Sequence, residues 1–439
     1  MIKNILLTKS LRELISGSSL ILFVRIISIL GTYFFIYLIS LYFSAEVLGV
    51  FSLAQSTIYI FSIFVTLGFD ILVVRLASKF NYSNISSFFV AYKKIILLIV
   101  TFGSILTIFL NQLAFFISNN IFNEPLSYLP IKYFSYCLIP LAISSINSET
   151  FRGFRNVLYY SIFNKASFQL YTSIILFISI FLYSKEISLS YMIPFYSFMI
   201  VILFVMIISS YKIYKLFLQN KNVATTNYKT SFTELITVSN PMMVTNIILH
   251  ILQWSSILFL GIYATVLEVG VFTLVLKISS SVTLILTSIN GIAAPKISEL
   301  YESNKESLKK LIKSITRLTF ITSFPILIIV LFVYPYIFEF LGNEYLIGEY
   351  ALLILLFGQF LNFSSGSVIT ILNMTNQQSI VRNIIAFGLF VNIVFNIILI
   401  PLYGITGAAI ATTLGIIMWN LLGVYYVYKK LNIKSYIRI

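Results

Sequence analysis

The chain has 439 residues, of which 59% are hydrophobic and only 10% charged, with a formal net charge of +15. Soluble globular chains carry about 25% charged residues, so a soluble enzyme or binding domain is excluded. Apolar runs long enough to cross a hydrocarbon core about 30 Å thick recur along the whole length. They are continuous, not alternating, which argues against a β-barrel.

Twelve apolar spans are read in chain order, at about 15–40, 47–74, 90–111, 128–150, 160–183, 189–211, 235–262, 269–294, 318–341, 346–372, 380–400 and 405–428. The expected fold is an all-α polytopic membrane protein with about twelve transmembrane helices. Loops are short, and the longest polar connections, about 212–234 and 296–317, are too small for a folded soluble domain. Lys3, Lys9 and Arg12 resemble the basic start of a secretory signal, but the apolar run behind them is too long, carries Arg25 and lacks a small-residue cleavage site. No cleaved signal is expected. Cys137 is the single cysteine and reads as apolar filler.

The basic residues set the orientation. Of the 29 lysines and arginines, all but Lys132, Lys185, Arg25 and Lys277 fall at the N-terminus, the C-terminus or in alternate loops. Glu46, Glu124, Glu186, Glu268, Glu339, Glu344 and Glu349 collect on the opposite side. By the positive-inside rule both termini are expected in the cytoplasm. The net charge then reads as topology signal with affinity for anionic lipid headgroups, and no nucleic-acid role is needed. The segment with Lys305, Lys309, Lys310, Lys313 and Arg317 is read in that way, as a lipid-surface helix.

An internal repeat is visible. Gly49-Val50-Phe51-Ser52-Leu53 matches Gly270-Val271-Phe272-Thr273-Leu274, and the same offset sets Arg75 opposite Lys296. Six spans per half keep the copies in one orientation. The expectation is two six-helix lobes, 1–220 and 221–439, related by a pseudo-two-fold axis along the membrane normal.

Arg25 lies about ten residues into the first span, about 15 Å at 1.5 Å per residue, and Lys277 lies at similar depth in the eighth. A cation there costs at least about 2.5–3.5 kcal/mol, so each is expected to face a watery cavity and a substrate, or else to form a structural ion pair. Ser18, Arg25, Ser28 and Thr32 share one face, as do Thr273, Lys277, Ser280, Ser281, Thr287 and Ser288. Further polar stripes carry Gln55 in the second span, Asn246, His250 and Gln253 in the seventh, and Gln359, Asn362 and Asn373 in the tenth. Such stripes either line a hydrophilic cavity or glue helices together. Asp70 is read as pairing with Arg75 or another base, or as carrying a coupling ion; His250, the one histidine, as a hydrogen-bonded core residue or a proton-coupling group. Pro241, Pro295, Pro325 and Pro335 read as accommodated kinks or hinges. No Walker A sequence, catalytic triad, paired carboxylates or metal-ligand set appears, so neither an enzyme nor a bound cofactor is expected; coupling to a proton or sodium gradient is.

Glu46 to Lys79, Ala293 to Tyr301 (AAPKISELY) and Pro401 to Thr413 (PLYGITGAAIATT) resemble segments of bacterial polysaccharide flippases of the O-antigen, Wzx type, within the multidrug/oligosaccharidyl-lipid/polysaccharide exporter superfamily. The resemblance covers essentially the whole chain, although no single motif is diagnostic. It implies an alternating-access flippase that moves undecaprenyl-diphosphate-linked oligosaccharide across the bacterial inner membrane. It also implies that Arg25 and Lys277 hold the diphosphate, with weaker carry-over to Arg75, Lys296, Arg152, Arg155 and Arg382. The implied partners are that glycan lipid, membrane lipids and a polysaccharide polymerase or chain-length regulator, with a monomeric transport unit. A peptidoglycan-precursor flippase and a multidrug or cation exporter share the fold. A membrane polymerase or ligase is the rival of another class, and the short acidic external loops count against it.

Overall fold

A computed structural model describes residues 9–80, 85–183, 190–219 and 231–437 of the chain. Lys3, Lys185, Glu186, Lys221, Lys229, Arg438, the expected lobe boundary at 220/221 and the side chains of Ser18 and Pro241 lie outside the described residues. The described residues are helical throughout, with no strand. The first half holds α1 (Lys9–Tyr42), α2 (Ala45–Thr66), α3 (Phe69–Phe80), α4 (Ile85–Phe116), α5 (Tyr128–Ser135), α6 (Leu138–Gly153), α7 (Val157–Phe163), α8 (Phe168–Tyr183) and α9 (Ile193–Gln219). The second holds α10 (Phe232–Tyr263), α11 (Val266–Ser281), α12 (Leu284–Ser303), α13 (Lys305–Leu341), α14 (Glu349–Ser364), α15 (Val368–Met374) and α16 (Gln378–Leu431).

Nine of the described helices are long and apolar enough to cross a membrane, or up to eleven when each bent pair counts as one span. Several expected spans are broken. The second divides into α2 and α3 at Leu67 and Gly68, both with positive φ. The fourth bends by 55° between α5 and α6, and the eighth by 47° between α11 and α12. The expected eleventh and twelfth spans run together as α16, whose 54 residues would extend about 80 Å if straight. Its backbone leaves the helical region at Gly404, with φ 51° and ψ −129°, a conformation closed to other residues. The chain turns back there. A Cβ on Gly388 would meet the Gly415 carbonyl at 3.3 Å, so the two halves of α16 lie against one another. The expected polar connection 296–317 is helical, as the end of α12 and the start of α13.

By their internal contacts the residues form two compact units, one of Leu20–His250 and one built from Ile251 onward with the first turns of α1, so that α10 contributes to both. In the first, Phe51 is buried among Phe35, Phe134, Phe195 and Phe198, with ring centroids 4.9–6.1 Å apart. In the second, Phe320, Phe324, Phe360 and Phe363 form a similar cluster. Large apolar side chains such as Phe181, Phe332 and Tyr336 are more than 70% exposed. In water that would be a liability, whereas hydrocarbon is as apolar as they are. The interior is rich in small and polar residues instead. Ser52, Thr57, Ser144 and Thr319 are buried and each donates to a carbonyl four residues back, which satisfies the hydroxyl inside its own helix.

The repeat extends to the helix caps. Ser44 caps α2 by accepting from Val47 N, and Thr265 caps α11 by accepting from Glu268 N, at the offset that relates Gly49 to Gly270.

Candidate functional site

In the first unit the polar centre is built around the break between α2 and α3. The break puts Asp70 in the first turn of α3, where Oδ1 accepts from Ile71 N at 3.0 Å. Oδ2 accepts from Asn246 Nδ2 of α10 at 2.7 Å. The approach is close because Gly68 has no side chain: a Cβ there would stand 2.6 Å from both Ser239 O and Met243 N.

Lys165 is the charge that organises the surroundings. It lies in the 3-10 turn before α8, placed by Asn164, whose side chain accepts from Ala166 N. It interacts electrostatically with Asp70 and Glu149, and its Nζ stands 5.7 Å from the ring centre of Tyr59. Gln55, buried on α2, hydrogen-bonds the Tyr59 hydroxyl. Glu149 Oε2 lies 2.9 Å from Arg152 Nε, an ion pair made by distance without hydrogen-bond alignment. His250 also feels the Lys165 charge, and its Nδ1 is buried without a hydrogen-bond partner among the described residues.

In the second unit Lys277 is half-buried in α11, with Nζ 6.0 Å from the ring centre of Trp254. A cation over an aromatic face gains about 0.5–2 kcal/mol depending on desolvation. The hydroxyls flanking it mostly serve their own helix: Thr273 donates to Val269 O, Ser280 to Lys277 O and Ser281 to Ile278 O. A buried amide and hydroxyl network lies nearby in sequence. Ser255 donates to Asn392 Oδ1 at 2.6 Å, Asn392 and Asn396 both donate to Ser256, and Ser256 pairs with Thr412 at 2.8 Å. It ties α10 to both halves of α16.

The structure distributes the expected site residues unevenly. Asp70, Asn246 and His250 join one polar region with Lys165, and Gln55 reaches it through Tyr59. Arg25 is exposed on α1, beside Ser28, which is buried and donates to Ser167 Oγ at 3.3 Å. Arg75 is exposed on α3, and Asp70 has Asn246 and Lys165 as partners. Lys296 is exposed and paired with Glu299 at 2.8 Å. Gln253 is exposed. Asn362 accepts from Asn420 at 3.1 Å and donates to Gln359 at 3.3 Å, the behaviour of interhelical glue. Arg382 is exposed at the start of α16. Sequence reasoning missed Lys165, which reads as one more loop cation. It also missed Glu149, although a carboxylate inside an apolar span is itself a signal. Asn392 and Asn396, one helical turn apart in an apolar run, were legible in the same way.

A helical, multi-pass architecture with cations and amides set inside apolar helices defines a polytopic membrane protein with a polar interior. The chain belongs to the polysaccharide biosynthesis protein family, whose model matches residues 14–301. A second family model, MatE, matches residues 241–398. An uncharacterized membrane protein of Methanocaldococcus jannaschii, MJ1068, is 36% identical over 136 residues, 30% of this chain and 27% of that protein. A probable low-salt glycan biosynthesis flippase of Haloferax volcanii, Agl15, is 24% identical over 188 residues, 42% of this chain and 39% of that protein. The chain therefore spans well under half the length of either relative it matches. Among solved structures, the lipid II flippase MurJ in an inward closed conformation superposes with a TM-score of 0.67 at 16% identity, covering 94% of this chain and 87% of that one. At that identity the likeness shows the fold alone. The protein is thus a multi-pass membrane protein of the polysaccharide biosynthesis protein family.

Proposed function

We propose that this protein flips an undecaprenyl-diphosphate-linked oligosaccharide, the repeat unit of a surface polysaccharide, from the inner to the outer leaflet of the bacterial cytoplasmic membrane by alternating access. The observation that carries this reading is Lys277, a half-buried cation inside an apolar helix of a polysaccharide biosynthesis protein. Holding it there is costly unless an anion or a polar environment compensates, and a diphosphate headgroup is such an anion. Arg25, inside another apolar helix, supplies a second cation. Arg75 and Lys296 extend the attraction toward the helix ends, and Gln55, Asn246, Gln253 and Asn362 offer hydrogen bonds to sugar. Asp70 and His250 are the groups through which a proton or sodium gradient would act. No bound cofactor takes part. The glycan would pass to a polysaccharide polymerase or chain-length regulator, with one copy forming the transport unit and both termini in the cytoplasm.

The test is complementation of a flippase-deficient strain. Arg25→Ala or Lys277→Ala is expected to abolish surface polysaccharide while the protein still inserts at normal abundance. Normal export by both variants would overturn the reading. The likeness to MurJ favours a second substrate, the peptidoglycan lipid precursor, which carries the same diphosphate. Transport of the two lipids in proteoliposomes separates these readings. The MatE match raises a drug or cation exporter; the interior carboxylates Asp70 and Glu149 share their polar region with the Lys165 cation, which counts against a cationic substrate there.

A further inference from the structure

The lysines of the α12–α13 turn do more than coat a helix. Lys305, Lys309, Lys310 and Lys313 of α13 meet Lys430 at the end of α16 around one pocket of about 490 Å³. Glu306 is the only acidic side chain in its lining. No ion pair among the described residues engages any of the five lysines, although Lys296, nearby in sequence, is paired with Glu299. Their neighbours Lys429 and Lys434 rest against the rings of Tyr425 and Tyr428 instead.

A topology signal requires only a count of positive charges beside a span. It does not require lysines from two distant helices to converge on one pocket. Convergence is unfavourable by itself: Lys305, Lys309 and Lys313 follow one another at four-residue spacing, and each like-charged pair at that spacing costs a few tenths of a kcal/mol. The pocket is nonetheless held firmly in shape. Leu308 and Ile433 in its wall are buried in a cluster with Ile312, Ile315 and Val427. The chain beyond α16 is tied down by Thr316 Oγ1 donating to Ser435 O at 2.7 Å and by Ile437 N donating to Ser364 O at 2.9 Å. A pre-shaped pocket of unpaired ammonium groups fits a compact, multiply charged anion. Ammonium groups bind phosphate as point charges.

The location selects the source of that phosphate. The charged stretch of α13 ends at Arg317 and its apolar run starts at Leu318, while α16 leaves its apolar run at Lys429. The pocket therefore lies level with the ends of the spans, at headgroup depth, where basic pockets between transmembrane helices take anionic lipids. We propose that this pocket binds the headgroup of a membrane lipid carrying more than one phosphate charge, as a site separate from Arg25 and Lys277 and independent of the glycan that is transported.

The experiment is native mass spectrometry of the full-length protein released from detergent and titrated with diphosphatidylglycerol, phosphatidylglycerol or phosphatidylcholine. The wild type is expected to retain the two-phosphate lipid in preference to the other two, and to lose the preference as salt rises. With about 1 kcal/mol per lysine near a lipid surface, the combined Lys309→Gln, Lys313→Gln and Lys430→Gln variant should bind it on the order of a hundred-fold more weakly. The matching arginine variant should retain binding. A charge-matched control, Lys79→Gln with Lys215→Gln and Lys429→Gln, should change it by no more than a few-fold. Equal loss in the control would reduce the pocket to general surface charge. Equal retention of one- and two-phosphate lipids by the wild type would also sink the proposal, whatever the variants do. Displacement of bound lipid by inorganic diphosphate at concentrations matching the lipid would assign the pocket to a soluble anion and overturn it.

Discussion

Asp70 shows how one contact changes the meaning of a residue. Read along the chain, it belongs with Arg75, almost one and a half turns away. In the fold it belongs with Asn246, 176 positions further on, and with Lys165. A double-mutant cycle over Asp70→Ala and Asn246→Ala measures that contact. Interhelical hydrogen bonds inside membrane proteins average about 0.6 kcal/mol and reach about 1.7. A coupling in that range is expected from unfolding of the purified protein, toward the upper end because a carboxylate is one partner. A coupling of zero would mean that Asn246 is placed by packing alone. Lys277 differs in its partner: its Nζ stands 6.0 Å from the ring centre of Trp254, on the preceding helix.

At the scale of elements, the breaks carry the design. Gly68 lets α2 end and α3 begin against the backbone of α10, with φ at +75°. Gly68→Ala adds a Cβ where two backbone atoms already stand, at a φ that costs a side-chain-bearing residue about 1–3 kcal/mol. A clear fall in melting temperature in detergent is expected; an unchanged melting curve would show that α10 can withdraw at no cost. Glu268 plays a comparable part in the second unit. Its Oε2 accepts from Thr265 N and Oγ1, closing the cap of α11, and its Oε1 accepts from Ile405 N just past the Gly404 break. Glu268→Ala removes both, so a loss of about 1–2 kcal/mol is expected, larger than for Ser44→Ala, which removes a single cap bond in the other copy of the repeat.

For the whole molecule, the charge distribution makes a topological prediction. Asn304 stands beside the basic end of α13 and Asn343 beyond its acidic end, and both are exposed. Cys137 is buried, so the native thiol adds little background. In intact cells Asn343→Cys is expected to react with a membrane-impermeant maleimide, and Asn304→Cys only after permeabilisation. The reverse pattern would invert the orientation. The repeat also has a limit at this scale. At the offset that joins the two copies, Lys277 falls opposite Ser56 and Arg25 opposite Asn246. The backbone pattern and the caps are duplicated, whereas the interior charges are not.

Composition, the helical membrane-spanning class and the repeat were legible in the sequence, because each is a local or one-dimensional property. An apolar run crosses a membrane whatever its neighbours are, and a loop cation acts on topology from where it stands. Helix breaks were less legible: Gly68 and Gly404 are ordinary glycines until the chain requires positive φ there. The partners of polar residues were not legible at all. In hydrocarbon the outside of a helix is as apolar as its core, so periodicity marks a polar stripe without saying which helix covers it. Only the tertiary structure joined Asp70 to Asn246, set Lys165 among carboxylates and folded Lys430 back onto the lysines of α13.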